Sequence, residues 1–407
     1  MSGEGAGGRR ILVLTNLFPP IARGGYEVEC QGVVEHLRER NEVLVLTSSK
    51  GRGEAPADPG VRRELPFLPR RRATNALSPL YAIRAAKVVR RALRDFGPDL
   101  VYVWNGAQLP HTAIRVLETS GAPVAYRVCE YWFGSLYRSR YDPFMRGLTG
   151  GSWKRMARAW NRLPALRIDA ERRVEVAISW NSEALRRQVK TPPLLEPVFE
   201  HVQLPATWQS EELVGLERRP AAKPTVGYVG RLSPEKGIDV ALRALAHLRD
   251  EGLEVDFEVA GGGPDEYRHE LETLATKLGI GDRVEFLGPR DAEGLKRFYA
   301  GLHTLVVPSV WEEPAGLVVV EGALAGVPLV ASRVGGIPEI VSDPDEALLC
   351  PPRDDAALAE ALRRTLTEPE ETAARAERAR ERAQAFRIRR YLKAMDEFLE
   401  KVGKPGN

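Results

Sequence analysis

Short apolar runs rich in branched side chains recur along this chain, each followed by a glycine- or proline-bearing loop and then by apolar positions at helical spacing. The first run, RILVLTN at residues 10–16, leads into the loop FPPIARGGYE (18–27) and a helical pattern through Leu37. NEVLVLTS at 41–48 then reads as a second strand buried on both faces, so the opening residues predict a βαβ unit of a parallel sheet. Further strands are predicted at 99–104 (DLVYVW), 123–128 (PVAYRV) and 174–180 (VEVAISW). A proline- and charge-rich stretch over residues 204–224 breaks the alternation and reads as a linker. A second series follows at 225–231 (TVGYVGR), 255–261 (VDFEVAG), 283–288 (RVEFLG), 303–309 (HTLVVPS), 327–332 (VPLVAS) and 347–352 (ALLCPP). Residues from Ala356 onward read as helical, and the last stretch, 385–402, has one apolar face suited to packing back on the first domain.

This pattern predicts two α/β domains of Rossmann-like, doubly wound type, residues 1–208 completed by a C-terminal helix at 385–407, and residues 209–384. A chain of 407 residues fits two cores better than one. The three cysteines, Cys30, Cys129 and Cys350, lie too far apart in sequence for a C-x-x-C metal site and do not form a disulfide framework, which suits a reducing cytoplasm. No apolar run approaches the ~20 residues of a spanning helix, so secretion and membrane spanning are not expected.

The net charge of +3 conceals an asymmetry: residues 1–205 carry 32 Lys and Arg against 20 Asp and Glu, and residues 206–407 carry 27 against 36. A basic half can meet phosphates or an anionic surface. The segments 70–94 and 152–173 interleave Arg with Trp, Leu and Tyr, which suits peripheral contact with an anionic membrane at its inner face; the alternative is ordinary helices burying an apolar face. With no recognisable binding module and an acidic second half, nucleic acid is not an expected partner.

In open parallel sheets ligands bind at the carboxyl ends of strands, where loops enter helix N-termini. Gly24 and Gly25, after the first strand, let backbone approach an anion, or serve as plain turn residues. GRLSPEKG (230–237) puts Gly230, Arg231 and Lys236 on one loop, where two cations can straddle a diphosphate or remain surface charges. The Gly262-containing turn GGGP (261–264) lacks the Lys-Ser/Thr of a P-loop, and G-x-G-x-x-G is absent after the first strand, which counts against a dinucleotide cofactor. The strongest signal is PSVWEEPAGLVVVEGALAGVPLVAS (308–332): with a helix starting near Gly316, Glu313 and Glu321 face one strand-end cleft and the Gly316 and Leu317 N–H groups point at an anion between them. Carboxylates there suit sugar and ribose hydroxyls; equally, Glu321 could complement the helix dipole and Glu313 be a solvated loop residue.

The run EPAGLVVVE (313–321), with GRLSPEKG, VAGGGP (259–264), GGIPEIV (335–341) and FPPIARGGYE, resembles the retaining glycosyltransferases of family 4, which have the GT-B fold. The matches fall in chain order from residue 11 to about 341, and together are more specific than any one piece. The resemblance implies two domains facing each other across a cleft, and transfer of a hexose-type sugar from a nucleotide diphosphate donor, UDP- or GDP-linked, to an acceptor hydroxyl of a sugar, a lipid-linked molecule or a small molecule. It further implies that Arg231 and Lys236 hold the donor diphosphate as catalytic residues with Glu313, which binds the donor sugar. Gly24, Gly25, Gly230, Gly262, Pro314, Ala315, Gly316, Leu317 and Val318 would line the donor, and Glu321 would bind the ribose. Neither metal nor cofactor is implied.

One departure concerns the acceptor side, assigned to Asn105, Cys129 and Glu130. Where many relatives have a His-Asp pair, this chain has Cys129 and Glu130, and a thiol does not replace imidazole near neutral pH without a shifted pKa. Retaining transfer in which the phosphate oxygen takes the acceptor proton tolerates this. The competing readings are a nucleotide-sugar-binding protein that has lost catalysis and a same-fold epimerase or phosphorylase. A second departure is the linker VQLPATW, which lacks the Asn-Gly pair often found there.

Overall fold

The computed structural model describes residues 8–22, 24–68, 78–137, 172–208 and 210–403. The chain divides into two units, one made of Met1–Asn181, Leu185–Gln203 and Leu392–Asn407, the other of Ser182–Ala184 and Leu204–Tyr391.

The first unit holds a seven-stranded parallel sheet: β1 Arg10–Thr15, β2 Glu42–Ser48, β3 Val61–Leu65, β4 Leu100–Asn105, β5 Val124–Val128, β6 Val174–Trp180 and β7 Leu195–Val202, in the order β3-β2-β1-β4-β5-β6-β7. Its central strands are buried throughout because helices cover both faces, which is why they read as continuous apolar runs. Leu12, Leu14, Val101 and Val103 point to one face, against Ala85, Ala86 and Val89 of helix Ser78–Phe96 and Ala113, Ile114 and Leu117 of helix His111–Glu118. Fully burying a residue such as Leu14 contributes about 2 kcal/mol. Within this unit Phe398, from the C-terminal helix Ile388–Lys401, stacks on Phe199 of β7 at 5.7 Å between ring centroids.

The second unit holds six parallel strands: β8 Thr225–Val229, β9 Asp256–Ala260, β10 Val284–Gly288, β11 Thr304–Val307, β12 Leu329–Ser332 and β13 Leu348–Cys350, in the order β10-β9-β8-β11-β12-β13. Helix Ile238–Asp250 illustrates the local logic: Ile238, Ala241, Leu242, Leu245 and Leu248 recur at helical spacing and are buried. Each sheet reverses its strand order once, between β1 and β4 and between β8 and β11, and ligands of open α/β sheets bind at the carboxyl ends beside such a reversal.

The doubly wound α/β class expected from the sequence is what forms. Two strands went unpredicted. β3 (VRREL) and β7 (LEPVFEHV) are edge strands, half-exposed and rich in charge or carrying Pro197, and an edge needs neither two apolar faces nor a full set of ladder donors. The predicted linker over residues 204–224 also needs correcting. Ala206, Thr207 and Leu213 are buried in the second unit and residues Ser210–Leu213 form a helical turn, so its first half is part of that unit's packing. Of the two basic segments, 138–171 and 69–77 lie outside the described residues, which removes most of 152–173 and the start of 70–94 from view.

Candidate active site

The loop after β8 and the loop after β11 flank the strand-order reversal of the second sheet, and a backbone hydrogen bond from Val310 N–H to Glu235 O (3.0 Å) joins them. Across this junction the Lys236 Nζ donates to Glu313 Oε1 at 2.6 Å, and the same oxygen accepts from the Ser309 hydroxyl. Glu313 is 7% exposed, so its charge is balanced by a cation in a sparsely hydrated place, where electrostatic interactions are stronger than in water. Lys236 also lies 5.9 Å from the Trp311 ring centroid. Arg231, on the same loop, is half-exposed and pairs with Glu235 at 3.1 Å rather than with Glu313. The Gly230 N–H donates to Ala260 O (3.0 Å) and Leu232 N–H to Gly262 O (2.8 Å), so the GGGP turn after β9 braces the Arg231 loop.

Glu313 is held from behind. Gly335 has φ +51°, and a Cβ there would lie 1.9 Å from the Glu313 carbonyl oxygen, so only glycine allows this approach. The Gly336 N–H donates to that carbonyl at 2.8 Å and the Gly335 N–H to Glu312 Oε2 at 2.8 Å. Pro314 and Ala315 are buried, and the Pro314 carbonyl accepts from the Ser182 hydroxyl. Gly316, at φ +114°, then turns the chain into helix Leu317–Leu324, as the sequence pattern anticipated. Leu317 and Val318 are its first residues, half-buried, and the first N–H groups of a helix have no acceptor within it.

Glu321 sits on that helix, one turn in. Its Oε1 accepts from Thr207 Oγ1 at 3.0 Å and its Oε2 from the Tyr299 hydroxyl at 2.8 Å. Burial pushes its carboxyl pKa up, and the two hydrogen bonds pull it back. Each oxygen keeps further acceptor capacity.

The strand-order reversal of the first sheet looks different. Asn16 follows β1, Asn105 ends β4, and Cys129 and Glu130 follow β5. Asn105 Nδ2 approaches Glu130 Oε2 at 3.5 Å, and the Tyr26 hydroxyl donates to Asn16 Oδ1 at 3.3 Å. Burial raises the Tyr26 phenol far above its ordinary pKa, with Glu27 and Glu130 adding to the shift. The Gly24 N–H donates to Glu27 Oε2 at 2.7 Å, so the start of helix Gly25–Arg38 is capped by the chain's own buried carboxylate. Cys129 is 5% exposed and burial pushes its thiol pKa well up, so it stays protonated at neutral pH and does not serve as a proton acceptor.

Two family profiles match this chain. That of the Glycosyl transferase 4-like domain covers residues 24–194, and that of Glycosyl transferases group 1 covers residues 210–382, the span containing Arg231, Lys236, Glu313 and Glu321. The chain belongs to the group 1 glycosyltransferases. Among curated relatives of this chain is the D-inositol 3-phosphate glycosyltransferase of Saccharomonospora viridis, 40% identical over 183 residues, which are 43% of this chain and 42% of the relative. The chain thus spans under half the length of the first curated relatives it matches. Among solved structures it resembles sucrose-phosphate synthase from Thermosynechococcus elongatus (TM-score 0.73, 21% identity, 97% of this chain and 98% of that one). It also resembles Anabaena Alr3699/HepE in complex with UDP-glucose (TM-score 0.67, 22% identity, 97% and 100%). These neighbours place its two doubly wound units in the GT-B fold class.

Among the described residues, no group of three or more His, Cys, Asp or Glu side chains could hold a metal ion, and no helix is long and apolar enough to cross a membrane. Sequence reasoning missed Ser309, Thr207 and Tyr299 as partners of the two carboxylates. Ser309 lies in the quoted run four residues before Glu313, a legible spacing. Thr207 and Tyr299 lie 114 and 22 residues from Glu321, and nothing local signals them.

Proposed function

We propose that this glycosyltransferase moves a hexose-type sugar from a UDP- or GDP-linked donor to an acceptor hydroxyl, with retention at the anomeric carbon and without a metal ion. The observation that carries the reading is the 2.6 Å contact of Lys236 with Glu313 where the strand order reverses. A diphosphate entering beside Lys236 and Arg231 would gain two cations and the N-terminus of helix Leu317–Leu324, which supply the charge stabilisation a divalent ion gives elsewhere. Glu313 would then accept hydrogen bonds from sugar hydroxyls, and Glu321 from the ribose.

In the step itself, the bond from the anomeric carbon to the diphosphate oxygen breaks and the acceptor oxygen bonds to that carbon on the same face. The acceptor proton passes to the departing phosphate oxygen, so no side-chain base is required and a protonated Cys129 is compatible with turnover. Glu130 and Asn105 would orient the acceptor. The neighbour bound to UDP-glucose and the relative named for an inositol phosphate are consistent with a nucleotide-sugar donor and a polyol acceptor. Such products serve as cell-envelope glycans, glycolipids or small-molecule glycosides. Helix Ser78–Phe96 exposes Leu80, Arg84, Lys87, Arg91 and Arg94 on one face, which would suit peripheral contact with an anionic membrane.

The test is nucleotide release from a panel of UDP-, GDP-, ADP- and TDP-sugars, with and without acceptors, beside Glu313→Ala. Release from one donor, abolished by the substitution, is expected. Binding without release under any acceptor would favour a protein that has kept the donor site and lost catalysis. No binding would overturn the donor assignment.

A further inference from the structure

The loop after β8 carries two cations, and each already has a carboxylate of the same unit against it. Lys236 Nζ donates to Glu313 Oε1 at 2.6 Å, and Arg231 Nη2 donates to Glu235 Oε1 at 3.1 Å. A diphosphate arriving here meets two cations whose charges are already balanced.

The two pairs differ in what holds the carboxylate. Glu313 is 7% exposed, accepts a second hydrogen bond from the Ser309 hydroxyl, and has Gly335 and Gly336 packed behind its carbonyl. Separating Lys236 from it would leave a buried charge unpaired, which is costly. The Arg231 and Glu235 side chains are 53% and 36% exposed, so water solvates both when they part. The backbone under Glu235 is pinned all the same. Its carbonyl accepts from the Val310 N–H at 3.0 Å, and two residues on, Gly237 at φ +69° runs so close to Pro308 that a Cβ would lie 2.0 Å from the Pro308 carbonyl oxygen. The Glu235 side chain can therefore swing to water while the loop keeps its course. Burial alone would raise the Glu235 pKa, but a hydrogen bond from its own N–H and the charges of Arg231 and Lys236 hold it below the ordinary carboxylate range, so it is ionised at neutral pH.

We infer that Glu235 is a displaceable counter-anion, the chain's own stand-in for the donor diphosphate. On binding, Glu235 yields Arg231 to a phosphate oxygen, while the Lys236–Glu313 pair stays closed. The inference rests on the donor reading above and goes beyond it by dividing the two cations, Arg231 exchanged and Lys236 fixed. Its consequence is reciprocal: Glu235 weakens the grip on the donor, and it also competes for the same guanidinium when the nucleotide diphosphate must leave.

The experiment is calorimetric titration of the full chain with UDP, GDP and inorganic pyrophosphate, comparing wild type, Glu235→Gln, Arg231→Gln and the double variant. Glu235→Gln is expected to bind the preferred nucleotide about threefold more tightly, the size of effect a half-exposed ion pair allows. In the Arg231→Gln background the same substitution should change affinity by less than about 1.5-fold, because nothing is left to compete for. In turnover, Glu235→Gln should lower the donor KM and strengthen inhibition by the released nucleotide by the same threefold or so, without raising kcat. Weaker or unchanged nucleotide binding by Glu235→Gln overturns the inference. So does an equal gain in both backgrounds, which would make Glu235 a general repulsive charge rather than a partner that is displaced. If neither the wild type nor any variant binds UDP, GDP or pyrophosphate, the donor reading falls and takes this inference with it; binding without the expected gain removes this inference alone.

Discussion

After β8 and β11, a lysine meets a buried glutamate just before the start of helix Leu317–Leu324; after β1, β4 and β5, the corresponding corner of the other sheet holds Asn16, Tyr26, Asn105 and Glu130, with its helix start already capped by Glu27. The two units share one topology and differ in where charge is left available. In the second, a cation pairs with a buried carboxylate just before a helix start, an arrangement suited to a ligand that is anionic at one end and rich in hydroxyls at the other. In the first, carboxylate and amide groups suit a hydroxyl-bearing molecule, and the arginine of that region, Arg127, is committed inside the fold. The contrast teaches that the shared fold sets where a site sits, and that the residues on the strand-end loops decide which half of a reaction each unit can serve.

The contrast breaks most visibly at Lys236. Lys236→Met should cut turnover by about a thousandfold, measured as nucleotide release, because in the proposed scheme it removes the charge that faces the leaving diphosphate. Turnover within a few-fold of wild type would mean that the charged corner is structural.

Acid separates the two units next. Burial lowers the His111 pKa to about 4 from 6.5, so between those values the unfolded chain binds a proton that the folded one refuses. Its contribution is complete above pH 6.5 and is lost as pH falls, by roughly 3 kcal/mol at the limit. Glu321, whose pKa is raised by burial, acts with the opposite sign: its stabilising effect is present at low pH and declines as pH rises above the ordinary carboxyl range. Urea unfolding at pH 4.5 and pH 7 should show the acid loss in wild type and its reduction in His111→Gln.

A smaller effect is expected at Glu130. Glu130→Gln should raise the acceptor KM about tenfold and leave donor affinity unchanged, the mirror image of substitutions at Glu313. Equal loss on both substrates would erase the division of labour. The smallest belongs to Cys129: Cys129→Ala should keep turnover within about threefold and cost about 1 kcal/mol in urea unfolding, since its buried thiol is a packing group.

Much of this was legible before the structure. The central strands announced themselves because burial on both faces demands unbroken apolar runs, and Glu313, Gly316 and Glu321 stood out by spacing around a helix start. The edge strands β3 and β7 did not, since their exposed positions read as polar loop. Nor did sequence disclose that Lys236 reaches Glu313, 77 residues away, while Arg231 turns to Glu235, or that Thr207 in an apparent linker supports Glu321. The pair Gly335-Gly336 was visible as part of a familiar string, but its work, backing the Glu313 carbonyl, appears only when two loops are brought into contact. Such long-range pairings depend on strand order, which no local pattern encodes.

The most direct test of the central claim is calorimetric titration of wild type, Glu313→Gln and Lys236→Met with a nucleotide sugar and with the matching free nucleotide diphosphate. The account predicts that Glu313→Gln loses affinity for the nucleotide sugar and keeps it for the free diphosphate, whereas Lys236→Met weakens both. Wild-type affinity for both ligands in both variants would contradict it.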